Sequence, residues 1–195
     1  MPAIRAFIAI DLTPAIRTEL SRISSRLKKE IGTAVRWVPS QNIHITLKFL
    51  GDVSEVNIEL LCHLLKNEAS RHQPFELHVG DLSAFPSPSR PRVIWVGVHA
   101  PPDLASLQKA IDNETQHLGY ASEDKAFSPH LTIGRVSQHA THEEIKRITE
   151  TLKQTTALSV GAIEVDAICL FRSDLNPEGA QYTRLYTAPL SAPGV

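Results

Sequence analysis

Two short segments of this 195-residue chain carry the same pattern, and that pattern limits the fold more than any other feature. His44-Ile45-Thr46-Leu47 lies within Asn42–Phe49, and His130-Leu131-Thr132-Ile133 lies within Ser128–Arg135. Polar residues alternate with large aliphatic ones, as in a strand with one buried face. Residues two apart on a strand share a side, so each segment offers an imidazole and a hydroxyl together. The fold must therefore supply two half-buried strands. If their open faces line one cleft, they gather a base, an acid and donors for phosphoryl oxygens, the parts needed for in-line displacement at phosphorus. A third His-x-Thr, His139-Ala140-Thr141, lacks the aliphatic alternation and precedes His142-Glu143-Glu144. It reads as a helix start with Thr141 as N-cap.

The length suits one domain built of two lobes, spanning residues 1–195, and the apolar fraction of 42% supports a real core. No run is long enough to cross a membrane. The N-terminus reads as a first strand rather than a leader peptide. Cys62 and Cys169 are far apart in apolar settings and are expected as buried free thiols, which fits the cytoplasm. A net charge of −1 argues against sequence-independent binding to long nucleic acid, but leaves room for a small basic pocket that takes one phosphate or RNA end.

Along the chain, Arg5–Leu12 is a strand, and Thr13-Pro14 opens a helix that ends near Ile31-Gly32. Val35–Val38 is extended, Pro39–Asn42 turns, and the first motif strand runs to Gly51-Asp52. Helices are expected from Ser54 to about Ser70, from Pro102 to about Leu118, and from Thr141 to about Gln154. Further strands are Glu76–Val79, Arg92–Val98, His130–Val136, Ala162–Phe171 and Tyr182–Tyr186, with Pro86–Pro91 as a rigid loop. Strands mixed with single helices indicate α+β architecture. Each half carries a motif strand followed at once by a helix, the histidines lying 86 positions apart (130 − 44), so the chain reads as a structural pseudo-repeat.

Other candidates carry less. His142-Glu143-Glu144 lacks the second histidine of a zinc-protease helix, because Lys146 stands there, and no cysteine pair has metal-ligand spacing. His63, His72, His99 and His117 sit in polar contexts, and His78 lies in a strand that would half bury it. Arg135 follows the second motif, where Gly134 would let the strand end turn; its guanidinium would fork onto a phosphate or lie free at the surface. Strict alternation puts Lys48 on the His44 and Thr46 face, toward a phosphate or solvent, and puts Phe49 into the core. Phe7 and Trp37 are core residues or stacking surfaces for a base.

The paired motifs resemble the two-histidine (2H) phosphoesterase superfamily, in particular the RNA 2′,3′-cyclic phosphodiesterases first described as 2′-5′ RNA ligases. The resemblance takes in Arg5–Ile10, Trp37–Gly51, Arg92–Gly97, Phe127–Arg135 and the tail with Ser173, Gly179 and Tyr182. It implies a bilobal α+β fold, two small antiparallel sheets facing a central cleft with helices outside. It implies hydrolysis of RNA 2′,3′-cyclic phosphate ends to 2′-phosphomonoesters without metal or other cofactor, and possible reversal as 2′-5′ ligation. By this resemblance His44 is the general acid and His130 the general base; Thr46, Thr132 and Arg135 bind the phosphate, with Lys48 as a further candidate. RNA ends bearing a cyclic phosphate are the expected partner of a monomeric, cytoplasmic enzyme with no membrane contact. The alternatives are another cyclic-nucleotide phosphodiesterase of the same fold and an RNA-end-binding protein.

Overall fold

The structure, a computed structural model, describes residues 3–122, 126–155, 157–177 and 179–191. Among the described residues, nine strands form two antiparallel sheets. The four-stranded sheet has the order β3 (Ile45–Ser54), β1 (Ala3–Ile10), β8 (Ala167–Asn176), β9 (Gly179–Pro189). The five-stranded sheet has the order β2 (Val35–Trp37), β6 (His130–Val136), β5 (Arg90–His99), β4 (Phe75–Ser87), β7 (Ser159–Val165). Helices α2 (Glu55–Ala69) and α3 (Pro102–His117) back the first sheet, and α1 (Pro14–Ile31) and α4 (His142–Gln154) back the second. Helix α3 joins β5 to β6 in sequence yet packs on β3 of the other sheet, so the two lobes are interleaved.

Local chemistry sets the helix ends. Thr13 accepts a hydrogen bond from the Ile16 N–H, Pro14 occupies the first turn, and Gly32 ends α1 at φ 86°. Thr141 and Glu144 form a full capping box at the start of α4, so the third His-x-Thr is indeed a helix start. Apolar faces of the helices and sheets merge into one core that includes Ile8, Ile10, Leu20, Leu65, Ile94 and Leu131. A smaller cluster of Phe7, Ala9, Cys169 and Phe171, with Tyr182, lies on the opposite face of the four-stranded sheet.

Several sequence readings are corrected. Pro86–Pro91 is not a free loop: β4 runs to Ser87 and β5 starts at Arg90, so a tight hairpin replaces it. The expected strand Ala162–Phe171 is two strands in different sheets, β7 and β8, separated at Asp166, whose carbonyl accepts from the Leu190 N–H. His78 is 68% exposed rather than half buried, because its face of β4 lies away from the helices.

The pseudo-repeat is closer in structure than in sequence. In the first sheet Ile10 pairs with Ile45, Ala9 with Thr46, Ile8 with Lys48 and Phe7 with Phe49. In the second, Val96 pairs with Leu131, Trp95 with Thr132, Ile94 with Gly134 and Val93 with Arg135. Every residue of the second set lies 86 positions after its counterpart (for example 135 − 49). Both ladders skip one residue directly after the threonine, Leu47 in β3 and Ile133 in β6, which is a β-bulge. Gly134 does not turn the strand end; β6 continues to Val136. A Cβ there would lie 2.7 Å from Val35 and 3.2 Å from Trp37 of β2. Gly134→Ala is therefore expected to destabilise the fold by about 1–3 kcal/mol through overpacking. Equilibrium urea unfolding checks this, as a lower midpoint at unchanged m-value.

Candidate active site

His44 stands one residue before β3, and His130 opens β6. His44 Nδ1 lies 2.9 Å from the Asn42 carbonyl, and His130 Nδ1 lies 2.7 Å from the Ser128 carbonyl, the same two-residue reach in each half. A carbonyl can only accept, so in both rings Nδ1 carries the proton and Nε2 is the atom left to work.

The two imidazoles rest on aromatic surfaces. His44 stacks on Phe7 at 4.5 Å between centroids, with Tyr182 edge-on at 5.3 Å. Phe7 in turn stacks on Phe171, over which the Arg184 guanidinium sits at 5.8 Å. His130 meets the edge of Phe85 at 4.9 Å and lies 6.2 Å from Trp95. Phe7 is thus a buried support for the histidine and not an open stacking surface, while Trp37 packs over Gly134.

Thr46 is paired with Ala9 and Thr132 with Trp95, and both threonines are half-buried beside their histidines. The bulge then changes the phase of each strand. Arg135, an odd number of residues from His130, returns to the His130 and Thr132 face opposite Val93 and is exposed. Lys48 is turned the other way. It is 0% exposed and its Nζ donates to Asp112 of α3 and to the Ala121 carbonyl, each at 2.5 Å. The structure therefore removes Lys48 from the substrate-facing set, because strict alternation fails at Leu47. The same shift brings Phe49 out of the expected core: it is 61% exposed beside Phe7, at the position that Arg135 holds in the other half.

A cavity of about 430 Å³ opens beside His44, lined also by Gln41, Tyr182 and Arg184. Along its wall the Asp11 carboxylate accepts from both Arg17 and Arg184. Arg17 also donates to the Ser40 carbonyl at 2.6 Å, which ties α1 to the turn before the first motif. The motif spacing gave no sign of Asp11, Arg17 or Arg184; a pair of arginines on distant elements leaves no periodic trace. Tyr182 belongs to the tail block of the resemblance but was not among the expected site residues. Burial raises the Tyr182 hydroxyl above its ordinary range, against the downward pull of Arg135 and Arg5.

Burial pushes the His44 imidazole down to about 4, against the upward effects of the Asn42 carbonyl and Asp11, with Arg17 adding to the fall. Among the described residues, no group of three or more His, Cys, Asp or Glu is arranged to hold a metal ion, and no helix is long and apolar enough to cross a membrane. Both cysteines are free thiols; Cys169 is buried but Cys62 only partly so, short of the burial expected from its apolar setting.

The family model for LigT-like phosphoesterases matches residues 10–95 and again residues 96–182, one match for each half of the pseudo-repeat. The chain belongs to this family. Among LigT-like relatives, an RNA 2′,3′-cyclic phosphodiesterase of Methanothermobacter thermautotrophicus is 34% identical over 180 residues, covering 92% of this chain and 95% of its own. A crystal structure from Thermus thermophilus superposes with a TM-score of 0.81 at 24% identity, over 97% of this chain and 99% of that one. Escherichia coli LigT complexed with 3′-AMP superposes with a TM-score of 0.74 at 25% identity, again over 97% and 99%. The two antiparallel sheets backed by helices that the resemblance implied are those of the LigT-like fold.

The His44 shift has a consequence for stability. Above pH 6.5 the ring is neutral in folded and unfolded chains alike and adds no pH dependence. Between pH 6.5 and about 4 the unfolded chain takes up the proton and the folded one does not, so stability falls with acidification. The loss attributable to His44 is up to about 3 kcal/mol. His44→Gln should flatten the wild-type slope in that window, which parallel denaturation curves from pH 7 to pH 4 measure.

Proposed function

We propose that this LigT-like protein opens RNA 2′,3′-cyclic phosphates by general acid–base catalysis, leaving a 2′-phosphomonoester and a 3′-hydroxyl. The reading is carried by the repeated arrangement of Nδ1–carbonyl bond, free Nε2 and neighbouring threonine on two strands of opposite sheets. It is supported by relatives from several lineages that are named RNA 2′,3′-cyclic phosphodiesterases, such as those of Archaeoglobus fulgidus and Aquifex aeolicus, 33% and 31% identical.

In this reading water attacks phosphorus as neutral His130 takes its proton at Nε2. The P–O3′ bond breaks, and His44 Nε2–H, as imidazolium, protonates the departing O3′. Thr46, Thr132 and Arg135 hold the non-bridging oxygens as charge builds there. Proton exchange with solvent returns both rings to their starting forms. A 5′-hydroxyl attacking phosphorus in place of water, with the same loss of O3′, would give a 2′-5′ linkage, but abundant water favours hydrolysis. Free thiols and an RNA substrate suit a cytoplasmic setting.

The low His44 value bears on the acid role. In the free protein the ring is neutral at pH 7. A bound phosphodiester anion beside it favours the imidazolium and raises its pKa, so the acid gains its proton with the substrate. The midpoint of the His44 ring, followed by NMR titration, is then expected at higher pH with inorganic phosphate bound than in the free protein. Equal midpoints would overturn this assignment.

Product analysis on a short oligonucleotide with a 2′,3′-cyclic phosphate end tests the reaction itself. A 2′-phosphate product is expected, with activity unchanged by excess EDTA. His44→Ala and His130→Ala should each lower turnover by roughly 10²–10⁴-fold, with the double variant losing less than the product of the two. Thr46→Val and Thr132→Val should each cost about 1–3 kcal/mol of transition-state stabilisation and leave the pH profile's shape intact. His139→Ala, in the third His-x-Thr, should leave turnover unchanged. Capture of the cyclic phosphate without turnover would favour the RNA-end-binding alternative.

A further inference from the structure

Lys48 is a charged side chain with no exposed surface, set in the middle of the first motif strand. An ion there must be paired and fully hydrogen-bonded to be tolerated. Its ammonium meets two partners, Asp112 in α3 and the Ala121 carbonyl in the connection from α3 to β6. Asp112 is itself held by Ser122 and by Gln116, the latter at 3.3 Å. Burial alone would raise the Asp112 carboxyl, but the bonds from Lys48 and Ser122 outweigh it and hold it below its ordinary range.

A second contact reaches the bulge itself. The carbonyl of Leu47, the residue that the pairing skips, accepts from Gln108 of the same helix at 3.3 Å. The corresponding carbonyl in β6, that of Ile133, accepts from the backbone N–H of Val38, just beyond β2, at 2.9 Å. Strand β6 has β2 beside it, whereas β3 is the edge strand of its sheet. The residue equivalent to Lys48 is Gly134, whose space Val35 and Trp37 of that neighbouring strand fill. Side chains of α3 thus do for the edge strand what a neighbouring strand does for β6.

We infer that Lys48, Asp112 and Gln108 form a clamp that fixes the first motif strand against the connection leading to the second. Lys48 is then a positioning residue acting through Asp112, not a phosphate ligand. One end of the clamp lies two residues after Thr46; the other includes Ala121, nine positions before His130 (130 − 121). The clamp sets the height of His44 and Thr46 relative to His130 and Thr132 across the cleft. Its catalytic consequence rests on the phosphodiesterase reading above, but its mechanical one does not.

Lys48→Met keeps the stem and removes the ammonium, Asp112→Asn keeps the shape and removes the charge, and Gln108→Leu frees the bulge carbonyl. Each is assayed below its own unfolding midpoint. For Lys48→Met and Asp112→Asn, kcat on the cyclic-phosphate oligonucleotide is expected to fall about 10–100-fold, the cost of sub-ångström misplacement of reacting groups. KM and the affinity for inorganic phosphate should change by less than about threefold, since no substrate contact is lost. The double variant should lose little more than either single one, because both break the same pair. Amide exchange should quicken in Leu131–Ile133 of β6 as well as in β3, a change across the lobes that a merely local role would not produce.

A raised KM and weakened phosphate binding at unchanged kcat would make Lys48 a phosphate ligand and overturn the clamp. So would folded variants with wild-type kcat and wild-type exchange in β6. If Lys48→Met fails to fold, Asp112→Asn and Gln108→Leu carry the same readouts. If the wild type turns over no cyclic phosphate, the functional reading fails, and amide exchange with phosphate binding still decides the clamp.

Discussion

What the cleft presents depends on one extra residue in each motif strand. A regular strand starting at His44 would show His44, Thr46 and Lys48 on one face. The bulge at Leu47 shows His44, Thr46 and Phe49 instead, and buries Lys48. The bulge at Ile133 likewise delivers Arg135, which alternation would have pointed into the core. Bulges often re-aim side chains next to active sites, but the residue that each leaves out of the pairing still has a backbone carbonyl that needs a partner. Left unpaired in the interior, such a group costs about 1–3 kcal/mol. Gln108 meets that of Leu47 and Val38 meets that of Ile133, so the two lobes solve one problem by different means.

The offset of 86 between equivalent positions shows how a symmetric scaffold becomes an asymmetric site. The backbone, the bulge and the His-x-Thr pair are kept. The flanking positions diverge: Phe7 against Val93, Ala9 against Trp95, Phe49 against Arg135. The surroundings of the two histidines therefore differ: Phe7, Phe49 and Tyr182 lie around His44, while Phe85, Trp95 and the exposed Arg135 lie around His130.

Helix positions and the pairing of the motifs were legible in the sequence because they depend on local chemistry. Thr13-Pro14 and Gly32 mark α1, and Thr141 with Glu144 marks α4, through hydrogen bonds that span only a few residues. The phase of the motif strands after the threonine was not legible, because a bulge is a relation between two strands and leaves no period of its own. Lys48 and Phe49 were exchanged for that reason alone. The division of Ala162–Phe171 between two sheets was hidden similarly: the run is continuously β-forming, and only the tertiary partners of β7 and β8 differ. The Asp11–Arg17–Arg184 cluster joins the end of β1, α1 and β9, and no sequence spacing links them.

The aromatic floor under His44 creates a tension that the chemistry can use. Burial against Phe7 and Tyr182 removes water from the ring and disfavours its charge, which is the dominant cause of the low pKa. The same stacked ring face favours a cation, and the Asn42 carbonyl fixes which nitrogen is free, so the site penalises the imidazolium for lack of solvent and not for lack of geometry. An anion arriving at Nε2 supplies the missing compensation in a medium of low dielectric, where it counts for more than in water. On the proposed mechanism the acid is thus charged mainly when a phosphate is there to use it. In the empty cleft a neutral ring spares the aromatic wall from holding a buried charge.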